Sequence, residues 1–273
     1  MTEYKIVASD LDGTLLNDQS KVSPENLTAI SGLLKKGVQF VPSSGRTLAE
    51  IPAEILNISD IRYIIHSNGA VVLDRKTGSR ILTCIPNAIV REILDTLAPY
   101  DSHLTLRHNG KCLVDNRYQT PEDYEHYNVI EAHQDCVLNY GEYLDDLLAY
   151  SKNVDNVEVV SVFFHNYEDK ITCKKLLEQN NRLRVVEACE YNLEIVHIDA
   201  GKGNALYQLA DMLGVDRKAT ISLGDSDNDS SITQAAGLGL AVSNACDSLK
   251  AVADEIICSN EEHVVAYVLS HYF

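Results

Sequence analysis

Ile6-Val7-Ala8-Ser9-Asp10-Leu11-Asp12-Gly13-Thr14-Leu15-Leu16 is an apolar run that stops abruptly on two aspartates. A short run of this kind is the pattern of a buried strand, and the polar break marks its carboxyl end. A helix pattern follows. Ser23 is the expected N-cap and Pro24 the first helical residue, with Leu27, Ile30, Leu33 and Leu34 on one face and Gly37 closing it. A second strand, Val38 to Val41, ends in Pro42-Ser43-Ser44-Gly45-Arg46. A helix over 47–56 and a strand from Tyr63 to Ile65, leading into His66-Ser67-Asn68-Gly69-Ala70, repeat the unit. Two such βαβ units imply parallel strands with right-handed crossovers, an α/β Rossmann-like sheet.

The same rhythm returns after 190. Asn192 to Ile198 reads as a strand, and Gly201-Lys202-Gly203 opens a helix with Ala205, Leu206, Leu209, Met212 and Leu213 on one face. Thr220 to Leu223 is a strand that closes on Gly224-Asp225-Ser226-Asp227-Asn228-Asp229. Short strands at Gly239–Val242 and 256–257 and a last helix over 261–270 complete the pattern.

Between these halves the texture changes. Helices are expected over 86–97, 142–150 and 168–179, and strands over 157–164 and 184–188. The runs 103–108 and 111–115 flank Asn109-Gly110, a strong hairpin turn signal. The mixture suggests a separate α+β module inserted at 84–189, with the parallel-sheet domain formed by 1–83 and 190–273.

Composition narrows the function. The 273 residues are 45% hydrophobic and 23% charged, ordinary for a folded chain, and the net charge is −17. Such a surface repels a phosphate backbone and an anionic bilayer, so nucleic-acid and membrane binding are disfavoured. No run reaches the ~18 apolar residues of a membrane span, and the short apolar start ending at Asp10 does not match a signal peptide. Seven cysteines, an odd number with no Cys-x-x-Cys pair, argue against a disulfide framework or a cysteine zinc site. Dispersed reduced thiols fit a cytoplasmic protein.

In a parallel sheet the carboxyl ends of the strands share one edge, where ligands bind. That edge would gather Asp10 and Asp12, Ser44 and Arg46, and Asp225, Asn228 and Asp229. Clustered carboxylates raise one another's pKa unless a cation offsets them. All the candidate donors are oxygens, which favours Mg²⁺ over Zn²⁺ or Cu²⁺. The run 225–229 lacks the Glu an EF-hand loop needs at its twelfth position, where Ala236 stands. Lys202 opens a helix, where a cation is poorly placed unless an anion is bound. The surrounding sequence does not match a P-loop. Ser44 and Gly45 offer a hydroxyl and an N–H to a phosphate oxygen. Read by themselves, Ser44 suits a plain turn, Arg46 a surface ion pair and Asn68-Gly69 a tight turn. Together the groups point to phosphoryl transfer in which Asp10 attacks phosphorus and Asp12 acts as acid and base.

Asp10-Leu11-Asp12-Gly13-Thr14-Leu15-Leu16, Ser43-Ser44-Gly45-Arg46, Gly201-Lys202-Gly203 and Gly224-Asp225-x-x-Asn228-Asp229 resemble the four ordered motifs of the haloacid dehalogenase-like phosphatases, and of their Cof-type subfamily in particular. Asn68-Gly69-Ala70 and Asn244-Ala245 match lesser signatures of that subfamily. The resemblance implies Asp10 as nucleophile and Asp12 as acid/base, its backbone carbonyl also on Mg²⁺. Asp10 and Asp225 are the implied direct side-chain metal ligands, and Asp229 a water-mediated or orienting one. Ser44 and Lys202 match phosphate-binding positions, and Leu11, Gly45, Arg46, Asn68 and Asn228 complete the substrate-contacting set. It implies an inserted cap domain at 84–189 that sets specificity, and a small phosphorylated metabolite as substrate: a sugar phosphate, or a cofactor such as pyridoxal phosphate or FMN. Ser44 replaces a commoner Thr, Ser230-Ser231-Ile232 an apolar-x-Met, Val242-Ser243 a Met-Gly, and His263 a Gly. A phosphomutase sharing the aspartyl-phosphate, and a non-catalytic metabolite-binding protein, remain open alternatives. So does the oligomeric state.

Overall fold

The computed structural model describes residues 3–187 and 189–273. The chain divides into two compact units. The first comprises 1–46, 51–81 and 201–273, and the second 47–50 and 82–200.

The first unit is built on a five-stranded sheet in the order Glu255–Ile256, Leu238–Ala241, Thr220–Gly224, Ile6–Ser9, Gln39–Pro42. Every pairing in it is parallel. The Ile6–Ser9 strand is buried along its whole length, as its unbroken apolar run requires. After it the chain goes to one neighbour, Gln39–Pro42, and the other neighbour, Thr220–Gly224, arrives much later. The order therefore reverses at Ile6–Ser9, which makes its carboxyl end the switch point where α/β sheets bind ligands.

The helices form where the local signals place them. Pro24–Lys35 begins at Ser23, whose hydroxyl accepts from the Asn26 N–H, and buries Ala29, Ile30 and Leu33. The helix Lys202–Leu213 lays Ala205, Leu206, Leu209 and Ala210 into a core with Ile6, Ala8, Val41, Ile65 and Ile232. Gly214 ends it in the left-handed conformation, φ 64°. The last helix, Val264–Tyr272, starts from His263, which also adopts a left-handed φ of 64°. That conformation accounts for the glycine the family pattern has there. His263 keeps it while its Nδ1 and the Ser23 Oγ share a hydrogen bond at 3.0 Å.

The expected third strand forms at Tyr63–His66, parallel to the second where the two are bridged, and it gains an antiparallel partner that the sequence pattern did not show. Tyr63–His66 lies beside the second strand, joined to it just past its end by the parallel bridge of Ser43 to Ile65 and by the Ser44 N–H, which donates to the Ile65 carbonyl at 3.0 Å. It pairs antiparallel with Val71–Asp74 in a three-stranded sheet. The turn at 67–69 supplies the reversal, with φ 54° at Asn68 and 84° at Gly69. The expected helix over 47–56 is a short 3₁₀ turn, Leu48–Glu50, and one helical turn, Ala53–Leu56, interrupted by Pro52.

The second unit holds a six-stranded sheet, ordered Leu183–Val186, Asn192–His197, Val159–Phe164, Ser102–His108, Lys111–Asp115, Gly141–Leu144. Asn109 and Gly110 form the expected two-residue hairpin, both at positive φ. Helices Asn87–Leu97 and Tyr167–Leu177 pack on one face of this sheet through Ile89, Val90, Ile93, Cys173 and Leu177. Two expectations are corrected and one helix is new. Residues 142–150 are not one helix: Gly141–Leu144 is a strand and Leu147–Ser151 a short helix. A helix at Glu131–Tyr140 was not legible in the sequence pattern. The strand Asn192–His197, assigned from sequence to the parallel-sheet domain, pairs antiparallel on both sides within this second sheet. The boundary with the first unit falls at 201 rather than 190. Of the strand expected over 184–188, residues 183–186 form it, and Ala188 lies outside the described residues.

Candidate active site

The parallel register places the first group. Ser9 lies opposite Leu223, so Asp10 and Asp225 leave the sheet side by side. The Asp10 N–H still donates to the Leu223 carbonyl, at 3.0 Å. Asp10, Asp225 and Asp229 converge there, each offering a carboxylate oxygen within 4.8 Å of the others. Lys202, 1% exposed, reaches the same point and donates to Asp10 Oδ1 at 2.5 Å and to Asp229 Oδ1 at 2.6 Å. Asp229 is held from behind by the N–H groups of Asp225 and Ser226 on its Oδ2.

Glycines make this approach possible. A Cβ on Gly13 would stand 2.5 Å from Asp225 Oδ2, and its φ is 71°. A Cβ on Gly69 would stand 2.3 Å from the Gly201 carbonyl carbon and 2.7 Å from the Lys202 N. Gly69 therefore lets the start of the Lys202 helix come close enough for the side chain to reach Asp10. Gly203 at the same helix start donates its N–H to Ser231 Oγ at 3.2 Å, which gives the atypical Ser231 a structural role.

The electrostatics are one-sided. Burial pushes the Asp10 carboxyl well above its ordinary range; Lys202 pulls it back, and the Asp229 and Asp225 charges add to the rise. Asp225 is raised for the same reasons, burial first and then Asp229. Burial alone would lower the Lys202 ammonium, but the Asp10 and Asp229 carboxylates outweigh it and raise it. One ammonium thus serves three buried or half-buried carboxyls. The unbalanced charge and the all-oxygen donor set fit a hard divalent cation.

The remaining predicted residues form a second string. Ser44 is buried, and its Oγ accepts from the Arg46 N–H at 3.1 Å. The Asn68 N–H donates to the Ser44 carbonyl, and the Ser67 N–H to that of Arg46, so the 44–46 loop and the 67–69 turn are laced together. A Cβ on Gly45 would stand 2.9 Å from Asn68 Oδ1, and that oxygen also accepts from Asn228 Nδ2 at 3.3 Å. Leu11, predicted to contact substrate, is fully buried.

Asp12 stands apart. Its carboxylate is half-exposed and held by Arg46 in a two-point pair, Nε to Oδ2 at 2.8 Å and Nη2 to Oδ1 at 2.6 Å. It lies outside the Asp10–Asp225–Asp229 group. Two contributors were missed by sequence reasoning. The Thr14 Oγ1 donates to Asp225 Oδ1 at 3.0 Å. Asn244 Nδ2 donates to the Gly13 carbonyl at 2.8 Å and fixes the loop after Asp12. Thr14 lies in a quoted motif, and Asn244 in a noted signature, but nothing in the linear pattern shows their partners.

A family model described as haloacid dehalogenase-like hydrolase matches residues 7–269. Phosphatase YwpJ of Bacillus subtilis is 28% identical to the chain, covering 98% of it and 99% of the relative. The 5-amino-6-(5-phospho-D-ribitylamino)uracil phosphatase YcsE of the same organism is 30% identical, covering 99% and 96%. A solved haloacid dehalogenase-like hydrolase from B. subtilis superposes with a TM-score of 0.80 at 27% identity, over 98% of this chain and all of that one.

Proposed function

The chain belongs to the haloacid dehalogenase-like hydrolase family and is a phosphoric monoester hydrolase; on that premise we propose a Mg²⁺-dependent phosphatase of small metabolites that works through an aspartyl-phosphate. One observation carries the reading: Asp10, at the switch point of the sheet, is buried against Lys202 and grouped with Asp225 and Asp229.

Asp10 and Asp225, with Asp229 beside them and the Asp12 backbone carbonyl, are the groups that would hold Mg²⁺. Bound there, the ion would neutralise charge on the transferring phosphoryl group. The free Asp10 oxygen attacks phosphorus in line; the new O–P bond forms as the bond to the leaving oxygen breaks. Asp12 gives its proton to that oxygen. Water then attacks the same phosphorus, Asp12 takes its proton, and phosphate departs with Asp10 restored. Lys202 compensates negative charge on Asp10 throughout. The Ser44 hydroxyl and the Gly45 N–H are the phosphate-oxygen donors. Arg46, Asn68 and Asn228 face the rest of the substrate. In this reading the arriving phosphate draws Arg46 away from Asp12, which releases the acid for its step.

Candidate substrates are sugar phosphates and phosphorylated cofactors such as pyridoxal phosphate or FMN. The phosphoribitylamino-uracil named for the YcsE relative joins them. The second unit, as an inserted cap, would choose among them. The free state of all seven cysteines among the described residues supports a cytoplasmic setting, and no described helix is long and apolar enough to cross a membrane.

The test is a phosphate-release screen over such a panel with Mg²⁺, repeated with Asp10→Asn. We expect turnover by the wild type and a drop of about 10⁴-fold or more in the variant, in line with loss of a covalent nucleophile. Unchanged hydrolysis by a folded Asp10→Asn protein would overturn the mechanism. Oxygen from labelled water in the released phosphate separates hydrolysis from transfer to a second hydroxyl, the phosphomutase alternative. Tight binding of a panel member without any turnover would instead support the non-catalytic alternative.

A further inference from the structure

The linear spacing of the cysteines hides a convergence inside the second unit. Cys112 lies on the strand Lys111–Asp115, in a small apolar cluster with Val114 and Val137 that Cys136 packs against. Cys136 lies on the helix Glu131–Tyr140, and Glu50 ends the turn Leu48–Glu50. The two sulfurs and a Glu50 carboxylate oxygen all lie within 4.8 Å of one another. Cys112 and Glu50 are buried, and Cys136 is half-buried. The Cys136 thiol donates to Glu50 Oε1 at 2.8 Å, while the Thr47 N–H holds the other oxygen, Oε2, at 2.7 Å.

We propose that Cys112, Cys136 and Glu50 form a binding site for a thiophilic divalent cation, Zn²⁺ foremost. Tetrahedral Zn²⁺ with Zn–S bonds of about 2.3 Å sets its donor atoms roughly 3.5–4 Å apart, inside the 4.8 Å span of this cluster, and the Cys136 sulfur and Glu50 Oε1, at 2.8 Å, would part by under about 1 Å to take it. The cation takes the place of the thiol protons. Two S–H bonds break, two Zn–S bonds and one Zn–O bond form, and two protons pass to solvent. The fourth position is left to water on the half-buried Cys136 side. The Thr47 N–H on Oε2 fixes the carboxylate from behind, as outer partners of metal ligands do. Two thiolates, one carboxylate and a divalent cation leave one negative charge. The half-buried Arg107, paired opposite Cys112 in the strand register and within reach of the charges of Glu50, Cys112 and Cys136, offsets it. Arg107 is itself shared with Glu194, at 3.3 Å. Hard Mg²⁺ avoids thiolates, so this site and the Asp10 group select different ions. The inference does not rest on the phosphatase reading.

The test uses the full chain, stripped with a chelator and titrated with Co²⁺ and then Zn²⁺ under reducing conditions. We expect one equivalent of Co²⁺ to give a near-ultraviolet thiolate-to-metal absorption that Zn²⁺ abolishes and excess Mg²⁺ does not. The band should persist in Asp10→Asn, disappear in Cys112→Ser and Cys136→Ser, and need at least tenfold more Co²⁺ in Glu50→Gln. Circular dichroism checks the fold of each variant. If Cys112→Ser does not fold, the half-buried Cys136→Ser carries the test. Absence of the band in folded wild type, its survival in Cys136→Ser, or a Cys112–Cys136 disulfide under the titration conditions would overturn the proposal.

Discussion

Lys202 Nζ stands 2.5 Å from Asp10 Oδ1, although 192 positions separate the two residues, and the pair is shut away from solvent. Neither charge would be stable there alone. The ammonium is anchored by two carboxylates, and Asp10 tolerates burial because the ammonium is present.

Replacing Lys202 by Met removes the cation from this group. Two buried carboxyls then lose their partner, and we expect a loss of about 3 kcal/mol in stability by urea unfolding. Turnover should fall by at least about 10²-fold, the scale of losing one preorganised electrostatic donor. A Lys202→Met protein with wild-type turnover would remove the residue from the mechanism.

The raised carboxyls make metal-free stability depend on pH. Asp10 and Asp225 bind protons more tightly folded than unfolded, because burial and neighbouring carboxylates oppose their ionisation. Their contribution is therefore present below the ordinary carboxylate range and is lost as pH rises through the raised values. Calorimetry with a chelator should show Tm declining across that window. Saturating Mg²⁺, at 100 times its Kd, should restore about 2.7 kcal/mol near neutral pH and much less in acid. A Tm indifferent to Mg²⁺ at neutral pH would contradict the assigned ligands.

Gly69→Ala probes the approach of the Lys202 helix. The new methyl would meet the Gly201 backbone at 2.3 Å, in a residue held at φ 84°. Backbone cannot yield as a side-chain tip can, and the positive φ alone costs roughly 1 kcal/mol for alanine. We expect destabilisation beyond that amount and a clear fall in kcat, read by denaturant unfolding and steady-state assay. A Gly69→Ala protein as stable and active as the parent would show that the close contact does not position Lys202.

Thr14→Val keeps the shape and removes the hydroxyl that orients Asp225 Oδ1. Loss of such an outer partner typically weakens metal binding by about 10- to 100-fold. The Mg²⁺ concentration for half-maximal activity should rise accordingly, with little change in kcat at saturating Mg²⁺. An unaltered Mg²⁺ dependence would count against Asp225 as a ligand.

Legibility followed the range of the interactions. Ser23 and Pro24 cap their helix as read, and Asn109-Gly110 makes its hairpin, because both signals act between residues a few positions apart. The strand Asn192–His197 was assigned to the wrong sheet. Its apolar run shows that it is buried but carries no record of whether its neighbours run parallel or antiparallel. The same limit hid the antiparallel partner of Tyr63–His66, since that pairing turns on the left-handed Asn68-Gly69 step.

The amino-acid order alone determined the chemical inventory: carboxylates, a hydroxyl, an amide and an ammonium, each at the end of an apolar run or the start of a helix. Tertiary structure alone decided which of them meet. It brought Lys202 to Asp10 and Asp229, set Thr14 on Asp225, turned Asp12 to Arg46, and closed Cys112, Cys136 and Glu50 into one cluster. The reason is geometric. Local propensities act over a few residues, whereas contacts between remote segments depend on strand order, register and the few glycines that let backbones approach.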